Sequence, residues 1–240
     1  MAFSLRNGAN GMRFLLTNDD GIDALGLAAL VELARELGEV TTIAPAGAQS
    51  GCSHRVTTDA PFEVQSRAPQ AFAVAGTPAD CVRVGLHGLA PGVDWILSGI
   101  NHGGNLGADL IHSGTAAAIR EGVFHGKPGI AFSHYRRRGM PEFDWSRAAR
   151  WVRPVLADLL KRPWQPGTFW NVNLPHLEAD RPDPDVVFCP VDRSPLPLEF
   201  RIDGRIWNYS ATYQHRRRVR GSDVDNCFEG RIAVSLVQMA

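Results

Sequence analysis

Asp19 and Asp20 stand side by side after a short apolar run, Arg13 to Thr17, and just before Gly21. Adjacent carboxylates repel and raise each other's pKa unless a cation neutralises them. The pair therefore suits a hard divalent cation such as Mg²⁺ or Mn²⁺, which prefers oxygen ligands. It suits a plainer role equally well, with one aspartate capping the next helix and the other facing water. Two further polar clusters carry glycine. One is Gln49-Ser50-Gly51; the other runs from Ser98 through Asn101, His102 and Asn105 to His112-Ser113-Gly114-Thr115. At the start of a helix, Ser113-Gly114-Thr115 would let backbone amides and two hydroxyls face a phosphate. Helix capping accounts for the same residues, and the glycines from Gly99 to Gly107 can simply turn the chain. No G-x-G-x-x-G fingerprint follows the first apolar run, which disfavours a dinucleotide cofactor.

Chemistry at these clusters needs a scaffold that brings them together. Arg13 to Thr17 reads as a strand. After it, Leu27, Leu30, Val31 and Ala34 fall at helical spacing, with Asp23 as the expected cap and Gly38 as the expected stop. Val40 to Ala44, Ala71 to Ala75, Val93 to Leu97 and Gly129 to Ser133 read as further strands. Helical segments fall near 79–86 and 116–124, and an amphipathic helix over 144–160. This alternation predicts a Rossmann-like, three-layer α/β fold with a mostly parallel sheet. All three polar clusters then follow strands, where ligands bind in such sheets.

Beyond residue 160 the pattern changes. Eight of the 16 prolines lie between residues 161 and 200. Phe169–Leu174, Phe200–Tyr209 and Ile232–Val237 look like strands of a hairpin-rich elaboration beginning near residue 165. One α/β domain over 13–240 is expected. Residues 1–12 are expected to form a disordered extension without function.

Lys+Arg and Asp+Glu both number 25, so the formal net charge is +0 and a nucleic-acid polymer is an unlikely partner on charge grounds. The four cysteines, Cys52, Cys81, Cys189 and Cys227, show no C-x-x-C spacing and argue against structural zinc. Scattered thiols fit a reducing compartment. With no signal-like apolar run at Met1 to Asn10 and no membrane-length segment, a cytoplasmic protein is expected.

Taken in order, the motifs resemble a known family. Leu-Leu-Thr-Asn-Asp-Asp-Gly-Ile-Asp-Ala (15–24) looks like the opening signature of the SurE survival proteins, which are nucleotidases. The likeness continues in Ala-Pro (44–45), Ser-Gly-Cys-Ser (50–53) and Gly-Thr-Pro-Ala-Asp-Cys-Val (76–82). It extends through Leu-Ser-Gly-Ile-Asn-His-Gly-Gly-Asn-Leu-Gly (97–107) and His-Ser-Gly-Thr-Ala-Ala-Ala (112–118). The resemblance implies hydrolysis of nucleoside monophosphates with one divalent cation, Mg²⁺ or Mn²⁺, per subunit. It puts the metal ligands on Asp19, Asp20, Ser50 and Asn101, with the two aspartates catalytic. Ser113, Gly114 and Thr115 would hold the phosphate, with Asn105 and Asn18 as supporting substrate contacts. A homodimer or homotetramer is also implied. All four mapped ligands offer oxygen from loops that follow strands, so they can converge on one crevice. Whether an aspartate acts as general base or nucleophile stays open.

The C-terminal half resembles the family only loosely, through Phe-Trp-Asn-Val-Asn-Leu-Pro (169–175) and Ser-Asp-Val-Asp (222–225). Ser235 to Ala240 departs from the family's Thr-Pro and further tail. His102 and His112 suit phosphate contact or proton delivery, and equally a solvated loop. Arg136-Arg137-Arg138 and the run from His215 to Arg220 can draw in anions or simply face water. Trp207 and Tyr209 can stack on a base or pack.

Two other functions compete. A receiver-like signalling domain also has an acidic pair after its first strand, and Lys127-Pro128 fits it. It needs a phosphoacceptor aspartate ending the third strand, whereas here Asp80 falls inside a helix. A non-catalytic nucleotide sensor on the same scaffold would be expected to lack a metal ligand, and turnover separates it from an enzyme. Short-chain polyphosphate is an alternative substrate that shares the metal site.

Overall fold

The computed structural model describes residues 11–239. Expectations for Met1–Asn10 lie outside the described residues, while Met12 opens the first strand. The chain runs through β1 (Met12–Thr17), α1 (Leu25–Arg35), β2 (Gly38–Pro45), β3 (Val64–Ala68), β4 (Ala71–Val74) and α2 (Pro78–Val84). It continues with β5 (Trp95–His102), α3 (Asp109–His112), α4 (Gly114–Phe124), β6 (Gly129–His134), α5 (Trp145–Leu159) and β7 (Thr168–Leu174). The last elements are β8 (Val186–Phe188), β9 (Phe200–Asp203), β10 (Ile206–Tyr209), α6 (Asp223–Phe228) and β11 (Ile232–Gln238).

Nine strands form one sheet in the order β3-β4-β2-β1-β5-β6-β7-β11-β8, and β9 pairs with β10 in a separate hairpin. The six strands from β4 to β7 are mutually parallel; β3 and β11 pair antiparallel with their inner neighbours. The predicted α/β, three-layer, mostly parallel architecture is what forms.

Strand periodicity explains the layers. In β1, Phe14 and Leu16 point to one face and Leu15 to the other, because successive side chains alternate. The first face packs against α1 and α5, through Leu27, Leu30, Ala148, Trp151 and Leu156. The second packs against α2 and α4, through Cys81, Val82, Ala116, Ala118 and Ile119. Parallel strands covered on both sides must be apolar throughout, and β6, Gly-Ile-Ala-Phe-Ser-His, is buried along its whole length. No helix among the described residues is long and apolar enough to cross a membrane.

Several expectations differ from the structure. Asp23 does not cap α1: Ala24 occupies the N-cap with no side-chain bond. Gly38 does not stop α1 either; the helix ends at Arg35, and Gly38 begins β2. Its glycine answers a packing need, since a Cβ there would lie 1.9 Å from the Met12 carbonyl oxygen of the paired strand. The strands Phe169–Leu174 and Ile232–Val237 extend the main sheet as β7 and β11, so only β9–β10 stands apart from it. In the competing receiver reading, Asp80 is accounted for locally. It forms a capping box with Thr77 at the start of α2 and accepts bonds from the Thr57 amide and hydroxyl, both at 2.8 Å.

One close approach matters for the site. In the β5–β6 pair the register shifts between Ser98 and Asn101, and Gly99 there adopts φ +128°. The first turn of α1 sits on this irregularity: a Cβ on Gly26 would come within 2.0 Å of the Ile100 carbonyl oxygen. Gly26→Ala is expected to cost about 1–3 kcal/mol through overpacking. For a chain of this size that lowers Tm by roughly 2–12 °C. Gly47→Ala, where a Cβ meets nothing within 4 Å, should shift Tm far less. Thermal melts of the two variants beside the parent test this.

Candidate metal and phosphate site

The chain steps from β1 to β2 on one side and places β5 on the other. The carboxyl ends of β1 and β5 therefore flank the point where strand order reverses, the usual ligand crevice of open parallel sheets. Asp19 and Asp20 leave β1 there, and Asn101 lies near the end of β5. A cleft of about 300 Å³ opens at this point, with Asp19, Ser50, Asn101, Asn105 and Ser113 in its lining.

Asp19 is buried, with 6% of its surface exposed. Burial, with a smaller push from Asp20, lifts its pKa to about 6 against the opposing pull of the Thr115 hydroxyl. That hydroxyl donates to Asp19 Oδ1 at 2.5 Å. Gly114 makes room for this carboxylate, since a Cβ there would lie 2.8 Å from Asp19 Cβ and 2.9 Å from Oδ2. Asp20 is held through its Oδ2, which accepts the His102 amide at 2.9 Å. Burial raises the pKa of Asp20 too, partly offset by that bond.

Ser50 is exposed on the loop after β2. That loop is tied to the site where the Gln49 amide donates to the Asp19 carbonyl (2.7 Å) and the Ser53 hydroxyl to Ile111 (2.9 Å). Asn101 commits its amide nitrogen to the Gly103 carbonyl (2.8 Å), which leaves its oxygen for the cleft.

The remaining expected residues divide. Ser113 lines the cleft, but its hydroxyl accepts the Ala116 amide (2.9 Å) as the N-cap of α4. Thr115 is fully buried behind Asp19. Asn105 joins the two layers of contacts: its Nδ2 reaches Ser133 Oγ (2.8 Å) and Thr115 Oγ1 (3.4 Å) while the residue lines the cleft. Asn18 does not reach the cleft lining. It is fully buried, and both ends of its amide bind the Gly21 backbone, at 2.9 and 3.2 Å. It braces the turn that presents the two aspartates.

The donor set fits a hard divalent cation: two carboxylates and two neutral oxygens, with one carboxylate kept in a dry position where a positive charge would offset its desolvation. The described residues hold no group of three or more His, Cys, Asp or Glu able to bind a metal. The set at the cleft, with only two carboxylates, is not of that type.

Sequence reasoning missed the frame around these groups. Asn173 clamps the backbone of Asn105, accepting its N–H at 2.8 Å and donating to its carbonyl at 3.1 Å; Asn171 donates to the same carbonyl at 2.9 Å. The signal was present, because asparagines alternating in the buried strand Thr168–Leu174 share one face and need partners there. Asp109 and Tyr213 were also missed, and both line the cleft. The Tyr213 hydroxyl donates to Asp109 Oδ2, as does Nη1 of the buried Arg216 at 2.9 Å. His102 and His112 do line the cleft, and His102 turns its Nε2 to Glu142 (3.3 Å) and Arg136 (3.0 Å).

Known proteins resemble this chain in sequence and in fold. Residues 14–193 match the family profile described as "Survival protein SurE". A Nostoc sp. protein, named provisionally as a 5'-nucleotidase, is 48% identical over 228 residues, spanning 95% of this chain and all of that one. The 5'-nucleotidase SurE of Methylobacterium radiotolerans is 37% identical over 237 residues, covering 95% of this chain and 93% of its own. The crystal structure of the SurE protein from Aquifex aeolicus superposes with a TM-score of 0.83 at 28% identity, covering 95% of this chain and 94% of that one. With a profile match over most of its length, and with a sheet and cleft to suit, this chain belongs to the SurE family.

Proposed function

We propose that this chain is a divalent-metal-dependent phosphatase that hydrolyses nucleoside 5'-monophosphates to nucleoside and phosphate. Nucleoside 3'-monophosphates and short polyphosphate are further candidate substrates. The observation that carries the reading is the cleft at the β1–β5 switch point, which gathers Asp19, Ser50, Asn101 and the start of α4. Relatives along nearly the whole chain bear the name 5'-nucleotidase.

In this reading Asp19, Asp20, Ser50 and Asn101 hold one Mg²⁺ or Mn²⁺. When bound, such an ion polarises the phosphoryl oxygens and lowers the pKa of a coordinated water. The chain's own residues fix the geometry. Thr115 holds one oxygen of Asp19 and the His102 amide one oxygen of Asp20, leaving each carboxylate a second oxygen to present. The start of α4, at Ser113 and Gly114, receives the phosphate. Asn105, held by Asn171, Asn173 and Ser133, stands in the cleft wall. A nucleotide sensor on the same scaffold remains the alternative, and turnover decides it.

We read 13–240 as one functional unit, since β7, β8 and β11 complete the sheet that β1 begins. Four free thiols support a cytoplasmic setting. The hairpin β9–β10 supports a homodimer or homotetramer, because Phe200, Ile202, Ile206 and Trp207 are all exposed on it. An apolar surface of that kind suits a second copy of the chain.

Phosphate release from a panel of nucleoside 5'- and 3'-monophosphates is expected to vanish with EDTA and return with Mn²⁺ or Mg²⁺. Asp20→Asn should lower it by orders of magnitude; near-parental turnover in a metal-replete assay would remove Asp20 from the site. Thr115→Val, which frees Asp19 from its hydroxyl partner, should weaken metal affinity or activity by about 10–100-fold, read by metal titration of activity in a folded variant. Sedimentation at micromolar concentration should show a dimer or tetramer that Ile202→Asp with Trp207→Ser dissociates, and a monomeric parent would sink the oligomer.

A further inference from the structure

Asp109 lines the cleft from α3, beside His112 and Tyr213, and its carboxylate is held by one oxygen only. Oδ2 accepts the Tyr213 hydroxyl, Nη1 of Arg216 at 2.9 Å and the Leu106 amide at 3.3 Å. Oδ1 has no partner among the described residues, and it is not sealed from solvent, whereas Arg216 Nε and Nη2 are. The Asp109 side chain keeps 15% of its surface exposed. Oδ1 is therefore an open acceptor in the cleft wall.

The support behind that oxygen is more than a structural role needs. The Arg216 side chain is fully buried, yet of its three nitrogens only Nη1 finds a partner. A buried ion pair with orphaned donors adds little to stability, because desolvation offsets the attraction. It does fix the carboxylate in one orientation, and it offsets the negative charge that would otherwise repel an anion nearby. Oδ1 then offers lone pairs and no proton, so a hydroxyl or an N–H suits it and a phosphate oxygen does not.

Position chooses between those donors. The Ser113 amide donates to the Asp109 carbonyl at 3.0 Å, which sets Asp109 one helical turn, about 5 Å, before the start of α4. With a phosphate at that start, the hydroxyl edge of a ribose comes within this range and the amino groups of a base lie beyond it. We propose that Asp109 Oδ1 accepts the ribose 2',3'-hydroxyls of the substrate and makes the site select ribonucleotides over sugars that lack them. This deepens the nucleotidase reading and rests on it. Tyr213 and Arg216 are positioning residues that act through Oδ2. A site built to accept a hydroxyl rejects the analogue without it, because the acceptor is then left unpaired.

The test compares kcat/KM for AMP, IMP and 2',3'-dideoxy-AMP with Mn²⁺, beside p-nitrophenyl phosphate, which carries no sugar. The parent protein is expected to favour AMP over the dideoxy compound by about 10–100-fold, the effect of losing a hydrogen bond to a charged group. AMP and IMP should be used alike. Asp109→Asn, which keeps an oxygen for Tyr213 and Arg216 but removes the charged acceptor, should cut the AMP preference at least threefold. Asp109→Ala should abolish it. This ratio is insensitive to a general loss of folded or metal-loaded enzyme, and Asp109→Asn decides the matter if Asp109→Ala melts early. Equal use of AMP and dideoxy-AMP by the parent overturns the proposal. So does a sugar preference that the folded variants keep, or a preference that separates AMP from IMP and ignores the sugar. Release of p-nitrophenol with no release from any nucleotide removes the nucleotidase reading, and this assignment with it. A flat ratio among nucleotides that are turned over removes this assignment alone.

Discussion

The structure turns on keeping one carboxylate, Asp19, charged and aimed in a place from which water is largely excluded. Burying an ionised group is costly unless hydrogen bonds or an opposite charge compensate it. Burial is the largest influence on Asp19 here, and Thr115 offsets only part of it. The rest of the site follows from that demand. Thr115 must sit behind Asp19, so the helix that carries it must begin there. Residue 114 must lack a Cβ, because the space is taken by the Asp19 side chain. The Thr115 hydroxyl is in turn reached by Asn105, whose backbone is clamped by two asparagines of β7. A metal at this position would supply the missing positive charge, so the protein's strain and its chemistry meet at one atom group.

The sheet supplies the geometry for this. Doubly covered parallel strands impose alternate packing into two cores, and the reversal of strand order at β1 opens a gap in the helical cover. Into that gap the register shift in β5 turns Asn101, with Gly99 at a φ that other residues rarely adopt. Gly26 lets α1 close over the irregularity. Glycine at positions 26, 99 and 114 thus reports close approach of backbone and side chain around a single crevice, not loose turns.

These constraints explain what was legible in the sequence. Strands such as Arg13–Thr17 and Gly129–Ser133 declare themselves because both faces are apolar, and a polar cluster follows the first of them directly. Asp19, Ser50 and Asn101 could therefore be brought to one end of the sheet without coordinates. Asn18 was grouped with the substrate contacts because its neighbours are polar; in the structure it closes a turn on the Gly21 backbone, a role that looks the same in sequence as facing a ligand. Asp23 and Gly38 failed as helix signals for a related reason. A cap is a geometric role that nearby residues can fill, and Gly38 answers a strand contact instead. β7 and β11 were placed in an appendage because proline-rich chain separates them, and sequence distance carries no information about which sheet edge a strand rejoins.

The late part of the chain does more than finish the sheet. Asp223 accepts the amides of Gly107, Asp192 and Val224, and Asp192 accepts those of Ser194 and Val219 together with the Ser222 hydroxyl. Two buried carboxylates thus pin the 190–223 region onto the loop that follows β5. That attachment fixes Arg216 and Tyr213 against Asp109, and so builds the cleft wall nearest His112. The groups suited to metal and phosphate come from the first half of the chain, while the wall that meets the rest of a substrate comes from both halves. Changes in the second half can reshape that wall and leave the motif residues untouched. The loose resemblance beyond residue 160 is then what a shared reaction with a locally shaped pocket would produce.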